Sequence, residues 1–135
     1  MTSRTGRKSK KTSKSRRETK STYILFVFLP RKRRIKVGAL GFVPFDAGLY
    51  LYVGSGGRSP ARRIARHVRR RKKKFWHIDF LSAHATVVGA MVFEASRSLE
   101  CPIARALASA FPAVPGFGCS DCCCGSHLFR AVTAS

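Results

Sequence analysis

Acidic residues are scarce in this chain. Its 135 residues include only six Asp and Glu against 27 Lys and Arg, which gives a formal net charge of +21. A chain with this charge repels itself unless a polyanion lies close to it. Nucleic acid is the natural partner, because each phosphate that a Lys or Arg neutralises releases a condensed counterion. We therefore expect the protein to bind DNA or RNA.

Long apolar segments are also missing. The longest strongly apolar run, from Tyr23 to Pro30, is far too short to span a bilayer. The basic N-terminus lacks the apolar stretch of a secretory signal peptide, and no amphipathic helix offers a large apolar face to a membrane surface. Five cysteines without a secretory signal argue against a disulfide framework. The expected location is the cytoplasm, in association with the nucleoid, and no membrane partner is predicted.

The first 21 residues have no large apolar residue after Met1. Nine of them are Lys or Arg, and Glu18 is their one acid. Such a segment cannot offset the entropy of ordering, so residues 1–21 are predicted to form a disordered basic tail. The tail either lies along phosphates or is simply solvated, and the sign of its charge favours phosphates. Residues 22–131 are predicted to form one domain, and residues 132–135 a C-terminal tail.

Strand-like and helix-like patterns alternate along this domain. Ser59 is a good N-cap and Pro60 suits the first position of a helix, in which Ile64 and Val68 would share a buried stripe. The residues after Pro112 read as a Gly- and Cys-rich loop. Strands are predicted over residues 22–29, 35–37, 48–53 and 87–93, and helices over 59–74, 76–85 and 98–111. This order predicts an α/β (α+β) fold, with a small mixed or antiparallel sheet flanked by about three helices.

The predicted helix after Ser59 is strongly basic. Nine of the 13 residues from Arg62 to Lys74 are Lys or Arg. Arg63 and His67 are four residues apart and therefore share one face of this helix. For most of its residues the simple interpretation is a solvated basic face that touches phosphates without chemistry. Arg63 and His67 are exceptions if a catalytic group lies beside them.

Two further features bear on phosphate chemistry. The glycine-rich stretch 52–57 joins a strand to the basic helix and could approach a phosphate closely, although it matches neither a Walker loop nor a dinucleotide fingerprint. A divalent cation that serves phosphodiester cleavage needs at least one carboxylate. Glu100 opens the Ala-rich helix, where it either binds such an ion or interacts with the helix dipole. The other core carboxylates are Asp46, Asp79, Glu94 and Asp121.

The order of these features resembles the GIY-YIG endonuclease superfamily. A tyrosine lies on a first strand, Tyr-Val-Gly on a later strand, an Arg and a His one turn apart on the next helix, and a Glu at the start of a later helix. The resemblance is closest to the small Uri-type prokaryotic branch, catalogued as domain of unknown function 123. It covers about residues 21–131. The matching stretches are residues 48–55, 66–67, 76–79, 100–101, 115–118 and 122–129.

The resemblance implies a metal-dependent endonuclease, a hydrolase that cleaves phosphodiester bonds in DNA. Its catalytic residues would be Tyr23, Tyr52, Arg63, His67 and Glu100, with Glu100 as the ligand of Mg²⁺ or Mn²⁺. Arg63 would donate to the non-bridging phosphate oxygens. Tyr52 or Tyr23 would take a proton from the attacking water, which requires the metal and Arg63 to lower the pKa of that tyrosine. His67 would relay the proton or bind phosphate. The predicted nucleic-acid-binding residues are Gly54, Arg62, Arg66, Arg69, Arg70 and His77.

The sequence departs from the family pattern in its first motif. Ser21 and Thr22 replace the glycine and isoleucine of that motif, and a hairpin over residues 30–47 separates the two tyrosines widely. Tyr50 is therefore an alternative to Tyr23, because it points to the same face of its strand as Tyr52. Arg62 is likewise a register alternative to Arg63, because the length of the preceding loop is open.

Two other functions stay open. The same fold could grip DNA or RNA without cutting it, although the presence of Tyr52, Arg63 and Glu100 together argues for catalysis, because binding alone needs no acid. A structural zinc site is the other alternative. Its candidate ligands are Cys122, Cys124 and His127 with Cys119 or Cys101, but their irregular spacing makes buried thiols and a capping histidine the simpler account. A separate protein could supply specificity.

Overall fold

The computed structural model describes residues 19–69, 74, 76–118 and 125–131. These residues form two antiparallel sheets and three α-helices. The elements are β1 (Lys20–Leu29), β2 (Arg33–Lys36), β3 (Phe42–Phe45), β4 (Gly48–Gly57), α1 (Pro60–Val68), α2 (His77–Ser82), β5 (Thr86–Ala95), α3 (Glu100–Ala108) and β6 (Leu128–Ala131). A single 3₁₀ turn, Gly38–Leu40, separates β2 from β3 in this part of the chain. The α+β class predicted from the sequence is confirmed.

The larger sheet has the strand order β5-β1-β4-β6. Its first central strand, β1, is the β-branched and aromatic run that the sequence predicts to be buried. In the antiparallel register of β1 and β4, Tyr23 lies opposite Gly54 and Leu25 lies opposite Tyr52. The two tyrosines therefore sit on adjacent strands near the same end of the sheet.

The sheet has a buried cluster on each face. Alternate side chains of β1, from Tyr23 to Leu29, join Tyr50 and Tyr52 of β4 in a cluster covered by α2 and the β2–β3 hairpin. Ile24 and Val53 belong to the second cluster, which α3 covers. This period-two division of one strand between two cores is expected of a strand buried on both faces. It also brings α1 and α3 to opposite faces of the same two strands.

The basic helix is shorter than predicted. α1 ends at Val68, with Arg69 as an extended C-cap, and Lys74 is not helical. The predicted buried stripe is also wrong at Val68, which is 56% exposed, whereas His67 is 1% exposed. The helix contacts the sheet through Ile64 and His67, three residues apart, because the imidazole fills the space beside the tyrosines.

The sequence did not predict β6, and it predicted β3 only as part of a hairpin without bounds. The sequence predicts a loop for the residues after Pro112, but Leu128–Ala131 forms β6, which pairs with the outer edge of β4. Strand β3 pairs with β2, and β4 continues to Gly57 rather than ending at Val53. Strands of four residues carry little local signal, because their partners, and not their own pattern, stabilise them.

The predicted terminal segments are only partly within the described residues. β1 begins at Lys20, so two residues assigned to the basic tail belong to the sheet. Residues 1–18 and 132–135 lie outside the described residues. The predictions for the remaining parts of both tails therefore stay predictions.

Gly54→Ala should destabilise the fold. An added Cβ would lie 2.6 Å from the Tyr23 ring, which is 2% exposed and cannot swing into solvent. Overpacking of this kind costs about 1–3 kcal/mol, so urea denaturation should show the free energy of unfolding falling by about 2 kcal/mol. Gly89→Ala is the matched control, because the nearest atom to its added Cβ is 3.9 Å away. Equal losses in the two variants would contradict close packing at Gly54.

Candidate active site

A buried hydrogen bond joins the first strand to the basic helix. The hydroxyl of Tyr23, on β1, lies 2.7 Å from Nε2 of His67, on α1. Both residues are buried. The hydrogen of this bond lies between two groups that can each hold a proton. A tyrosine and a histidine so arranged can exchange a proton without rearrangement of either side chain.

Tyr52 completes an aromatic cluster with this pair. Its ring centroid lies 6.4 Å from that of Tyr23 and 6.2 Å from that of His67. Both tyrosine hydroxyls have pKa values raised above their ordinary value, chiefly by burial. The sequence-based expectation is that Arg63 and a bound metal together lower the pKa of the catalytic tyrosine. The charge of Arg63 does act in that direction on both tyrosines, but burial outweighs it. The protein's own residues leave both tyrosines neutral at neutral pH.

Arg63 is held beside this cluster by the end of β4. Its Nη1 donates a hydrogen bond of 2.7 Å to the carbonyl oxygen of Ser55. Its guanidinium lies 5.3 Å from the ring centroid of Trp76. The side chain of Arg62, the register alternative, is exposed on the neighbouring face of α1. The structure thus brings Arg63 to the tyrosines, through the same helical face that carries His67.

Glu100 reaches the same end of the sheet from the opposite face. The backbone N–H of Leu99 donates to Oγ1 of Thr22 at 3.1 Å, which fixes the start of α3 beside β1. The Glu100 carboxylate acts on the tyrosines, because its charge contributes to the raised pKa of both. Oε2 of Glu100 lies 3.3 Å from Nδ1 of His127, whose side chain is buried while that of Glu100 is 29% exposed.

His127 is a site residue that the sequence does not reveal in this role. The sequence offers it only as a capping histidine or a zinc ligand. It stands 27 positions after Glu100, and no local spacing links the two. The backbone of Val53 donates to the His127 carbonyl at 2.9 Å, immediately before β6 pairs with β4. Pairing of β6 therefore brings His127 to Glu100.

Asp79 and Arg66 form a second buried contact next to His67. Arg66 donates to both carboxylate oxygens of Asp79, at 2.7 and 3.0 Å. Asp79 also accepts the backbone N–H of Trp76 at 2.9 Å and so caps α2. The Trp76 ring lies 4.6 Å from the Arg66 guanidinium. Arg66, predicted to bind nucleic acid, is thus engaged with a buried carboxylate, and the Trp-His-Ile-Asp segment supports α1.

The remaining predicted residues have varied places. Nδ1 of His77 accepts the backbone N–H of Gly118 at 2.8 Å, and burial lowers the pKa of its ring. Tyr50, the alternative first tyrosine, donates to the carbonyl of Asp46 and packs in the core, away from His67. Gly54 lies under the Tyr23 ring. Arg69 is the exposed C-cap of α1, and Arg70 lies outside the described residues.

Among the described residues, Glu100 is the partly exposed carboxylate whose charge acts on the two tyrosines. The described residues contain no cluster of three or more His, Cys, Asp or Glu side chains that could hold a metal ion. Mg²⁺ usually keeps several waters and binds through one or two carboxylates plus substrate phosphates, so the partly exposed Glu100 fits it. Cys101 is described and free. The other four cysteines lie outside the described residues, and the zinc alternative stays a prediction.

The fold and this cluster define a small α+β domain with a buried Tyr–His pair at one end of its sheet. A family model described as Domain of unknown function DUF123 matches residues 22–135, and the chain belongs to that family. Neither the curated proteins nor the solved structures include a match to the chain. In the described residues, no helix has the length and apolar character needed to cross a membrane.

Arg66→Met should destabilise the protein strongly. It would leave the Asp79 carboxylate, which is fully buried, without its bidentate partner. Loss of one partner of a buried ion pair costs about 3–5 kcal/mol, and denaturant unfolding should show a loss near the lower figure. Arg62→Met removes the same charge from an exposed position and should change stability by less than about 0.5 kcal/mol. Similar losses would contradict a structural role for the Arg66–Asp79 pair.

Proposed function

We propose that this chain is a metal-dependent endonuclease of the GIY-YIG type, which hydrolyses phosphodiester bonds in DNA. The observation that carries this proposal is the meeting of predicted catalytic residues from four elements. Tyr23, Tyr52 and His67 are in ring contact. Arg63 and Glu100 both act electrostatically on the two tyrosines. These five residues are widely spaced in the chain, and a module that only binds nucleic acid needs no such cluster.

The surroundings of the cluster suit a phosphate backbone. A cavity of about 430 Å³ opens at the end of β4, beside Ser55. Ser55, whose carbonyl holds Arg63, lines this cavity together with Lys20, Arg58 and one carboxylate, Glu94. The net charge of +21 would attract a polyanion to the protein as a whole. DNA is the proposed partner because of the resemblance to the endonucleases, and RNA is a second substrate class for the test below.

Arg63 is well suited to hold the scissile phosphate. Its planar guanidinium can donate to two non-bridging oxygens at once, which a Lys cannot do. The Ser55 carbonyl and the Trp76 ring keep the guanidinium in place before substrate binds. Preorganised donors of this kind stabilise developing negative charge at no cost of reorganisation during the reaction.

Glu100 would hold Mg²⁺ or Mn²⁺. When bound there, the ion supplies positive charge at the phosphate and at the leaving oxygen. Tyr23 would accept a proton from the attacking water while its own proton passes to Nε2 of His67. Because the two protons move together, Tyr23 never has to exist as a free tyrosinate. The raised pKa of its hydroxyl therefore does not prevent the step.

Glu100→Gln should abolish cleavage and leave DNA binding in place. Wild type and variant would be compared on labelled single-stranded, duplex and branched DNA and on RNA, each with Mg²⁺, Mn²⁺ or excess chelator. We expect metal-dependent cutting by wild type and a loss of at least about 10²-fold in the variant, because the ion's ligand is gone. Asp46→Asn, which removes an exposed carboxylate paired with Arg130 at 3.7 Å, is the charge-matched control.

Salt-sensitive binding without cleavage of any substrate would favour the non-catalytic binding module instead. The assay would then be repeated with cell extract as a source of a specificity-providing partner. Cleavage that survives Glu100→Gln or chelation would contradict a role for Glu100 as the metal ligand.

Arg63→Lys should reduce kcat by about 10²–10³-fold, the usual effect of removing one preorganised donor. Lys keeps the charge, so the Kd for uncleaved DNA should change little. Single-turnover cleavage and binding titrations would measure the two effects separately. Arg62→Lys tests the other register. We expect kcat to fall by less than about threefold in this variant, because Arg62 would meet the DNA phosphates only through its charge, which Lys keeps. A larger loss for Arg62→Lys than for Arg63→Lys would reverse the assignment.

A further inference from the structure

Three neighbouring polar side chains, those of Arg66, Asp79 and His67, lead to the Tyr23 hydroxyl. Arg66 donates to Oδ1 of Asp79 at 2.7 Å, and that same oxygen lies 4.0 Å from Nδ1 of His67. On the other side of the imidazole, Nε2 lies 2.7 Å from the Tyr23 hydroxyl. The side chains of Asp79 and His67 are both fully buried. Asp79 therefore stands behind His67 as seen from Tyr23.

Positive charge dominates the surroundings of His67 on its own helix. Arg63 and Arg66 lie one turn or less from it on α1. A buried imidazole next to two guanidinium groups would accept a proton poorly, because like charges repel strongly away from water. Asp79, on α2, is the carboxylate that lies within 4.0 Å of the ring.

The other elements packed against α1 offer little compensation. β1 and β4 contribute the neutral hydroxyls of Tyr23 and Tyr52. β5 carries one ionisable residue, Glu94, which is exposed. Glu100, at the start of α3, is paired with His127. Of the acidic groups in the described residues, Asp79 is the one placed to balance Arg66.

We propose that Asp79 is a positioning residue of the active site, whose carboxylate offsets the charge of Arg66 so that His67 can take the proton of Tyr23. This inference rests on the proposed nuclease function. In the step it assists, the water oxygen bonds to phosphorus as a water hydrogen passes to the Tyr23 oxygen. The Tyr23 hydrogen passes to Nε2 of His67, and the bond from phosphorus to the leaving oxygen breaks. His67 then returns its proton to the Tyr23 oxygen, the hydrogen that Tyr23 had taken from the water passes to solvent, and the leaving oxygen takes one from solvent.

A purely structural role for Asp79 predicts that a variant which keeps its hydrogen bonds and loses only its charge cleaves as fast as wild type. The carboxylate also caps α2 by accepting the backbone N–H of Trp76. Asp79 is the third residue of α2, after the N-cap Trp76. The amide oxygen of Asn at this position can still accept the Trp76 N–H together with one N–H of Arg66. Asp79→Asn should therefore keep the fold and the cap but remove the negative charge. The double variant Asp79→Asn with Arg66→Gln removes both charges and restores the wild-type net charge around His67.

The experiment combines cleavage kinetics with an NMR titration of the His67 imidazole. In Asp79→Asn we expect kcat to fall about 10²-fold, within the range that general acid–base catalysis contributes, with KM changed by less than about threefold. Without the carboxylate the protonated imidazole is less favoured, so its titration midpoint and the acid limb of the pH–rate profile should both move to lower pH. The double variant should recover at least about tenfold of the lost kcat. Asp46→Asn should leave the midpoint and kcat unchanged.

The outcomes separate this inference from the proposed function. Cleavage by wild type with kcat and the His67 midpoint unchanged in Asp79→Asn overturns the inference and leaves the nuclease standing. A wild type that cuts no substrate overturns the nuclease, and the catalytic role of Asp79 with it, even where the midpoint moves. If Asp79→Asn does not fold, the folded double variant decides. A fall of its kcat by more than about 10²-fold relative to wild type would contradict the proposal that Asp79 acts by offsetting the charge of Arg66.

Discussion

The contact of Tyr23 with Gly54 and His67 constrains most of the site. A side chain at position 54 would overlap the tyrosine ring, so the ring can cross β4 only because that residue is glycine. The hydroxyl then meets His67 and holds α1 against the two central strands. The position of α1 in turn determines where the side chains of Arg63 and Arg66 begin. A single cross-strand register therefore sets where both guanidinium groups lie, and every role proposed for them depends on it.

Negative charge is scarce in the chain, and much of it lies at this end of the sheet. Six acids face 27 basic residues, yet Asp79 is fully buried against Arg66 and Glu100 lies against His127. Burying a carboxylate is costly unless a cation and hydrogen bonds accompany it. Asp79 also pairs with Arg66 and caps α2, so its placement serves the fold as well. Under the proposed function, the position of both carboxylates near the Tyr–His pair is the reason to favour catalysis over simple binding.

Local pattern predicted part of this arrangement. The buried first strand, the Ser59 cap with Pro60, and the shared face of Arg63 and His67 follow from periodicity and helix chemistry. The place of Glu100 at the start of a helix was predicted in the same way. Contacts between distant segments were not predictable. His127 reaches Glu100 only through strand pairing, and Asp79 reaches His67 only through the docking of α2 against α1.

Burial makes both tyrosine hydroxyls harder to deprotonate, so proton transfer from them depends on neighbouring groups. Exclusion of water raises the pKa of both hydroxyls more than Arg63 lowers it, so neither is a good base by itself. The same exclusion strengthens every charge interaction inside the cluster. A histidine hydrogen-bonded to the hydroxyl, with a carboxylate behind it, can offset the raised pKa of the tyrosine. The proton then moves between buried partners, and no tyrosinate has to persist. Under the proposed function, His67 is then the proton acceptor of the pair, Tyr23 is the group that contacts water, and Tyr52 shapes the cluster around them.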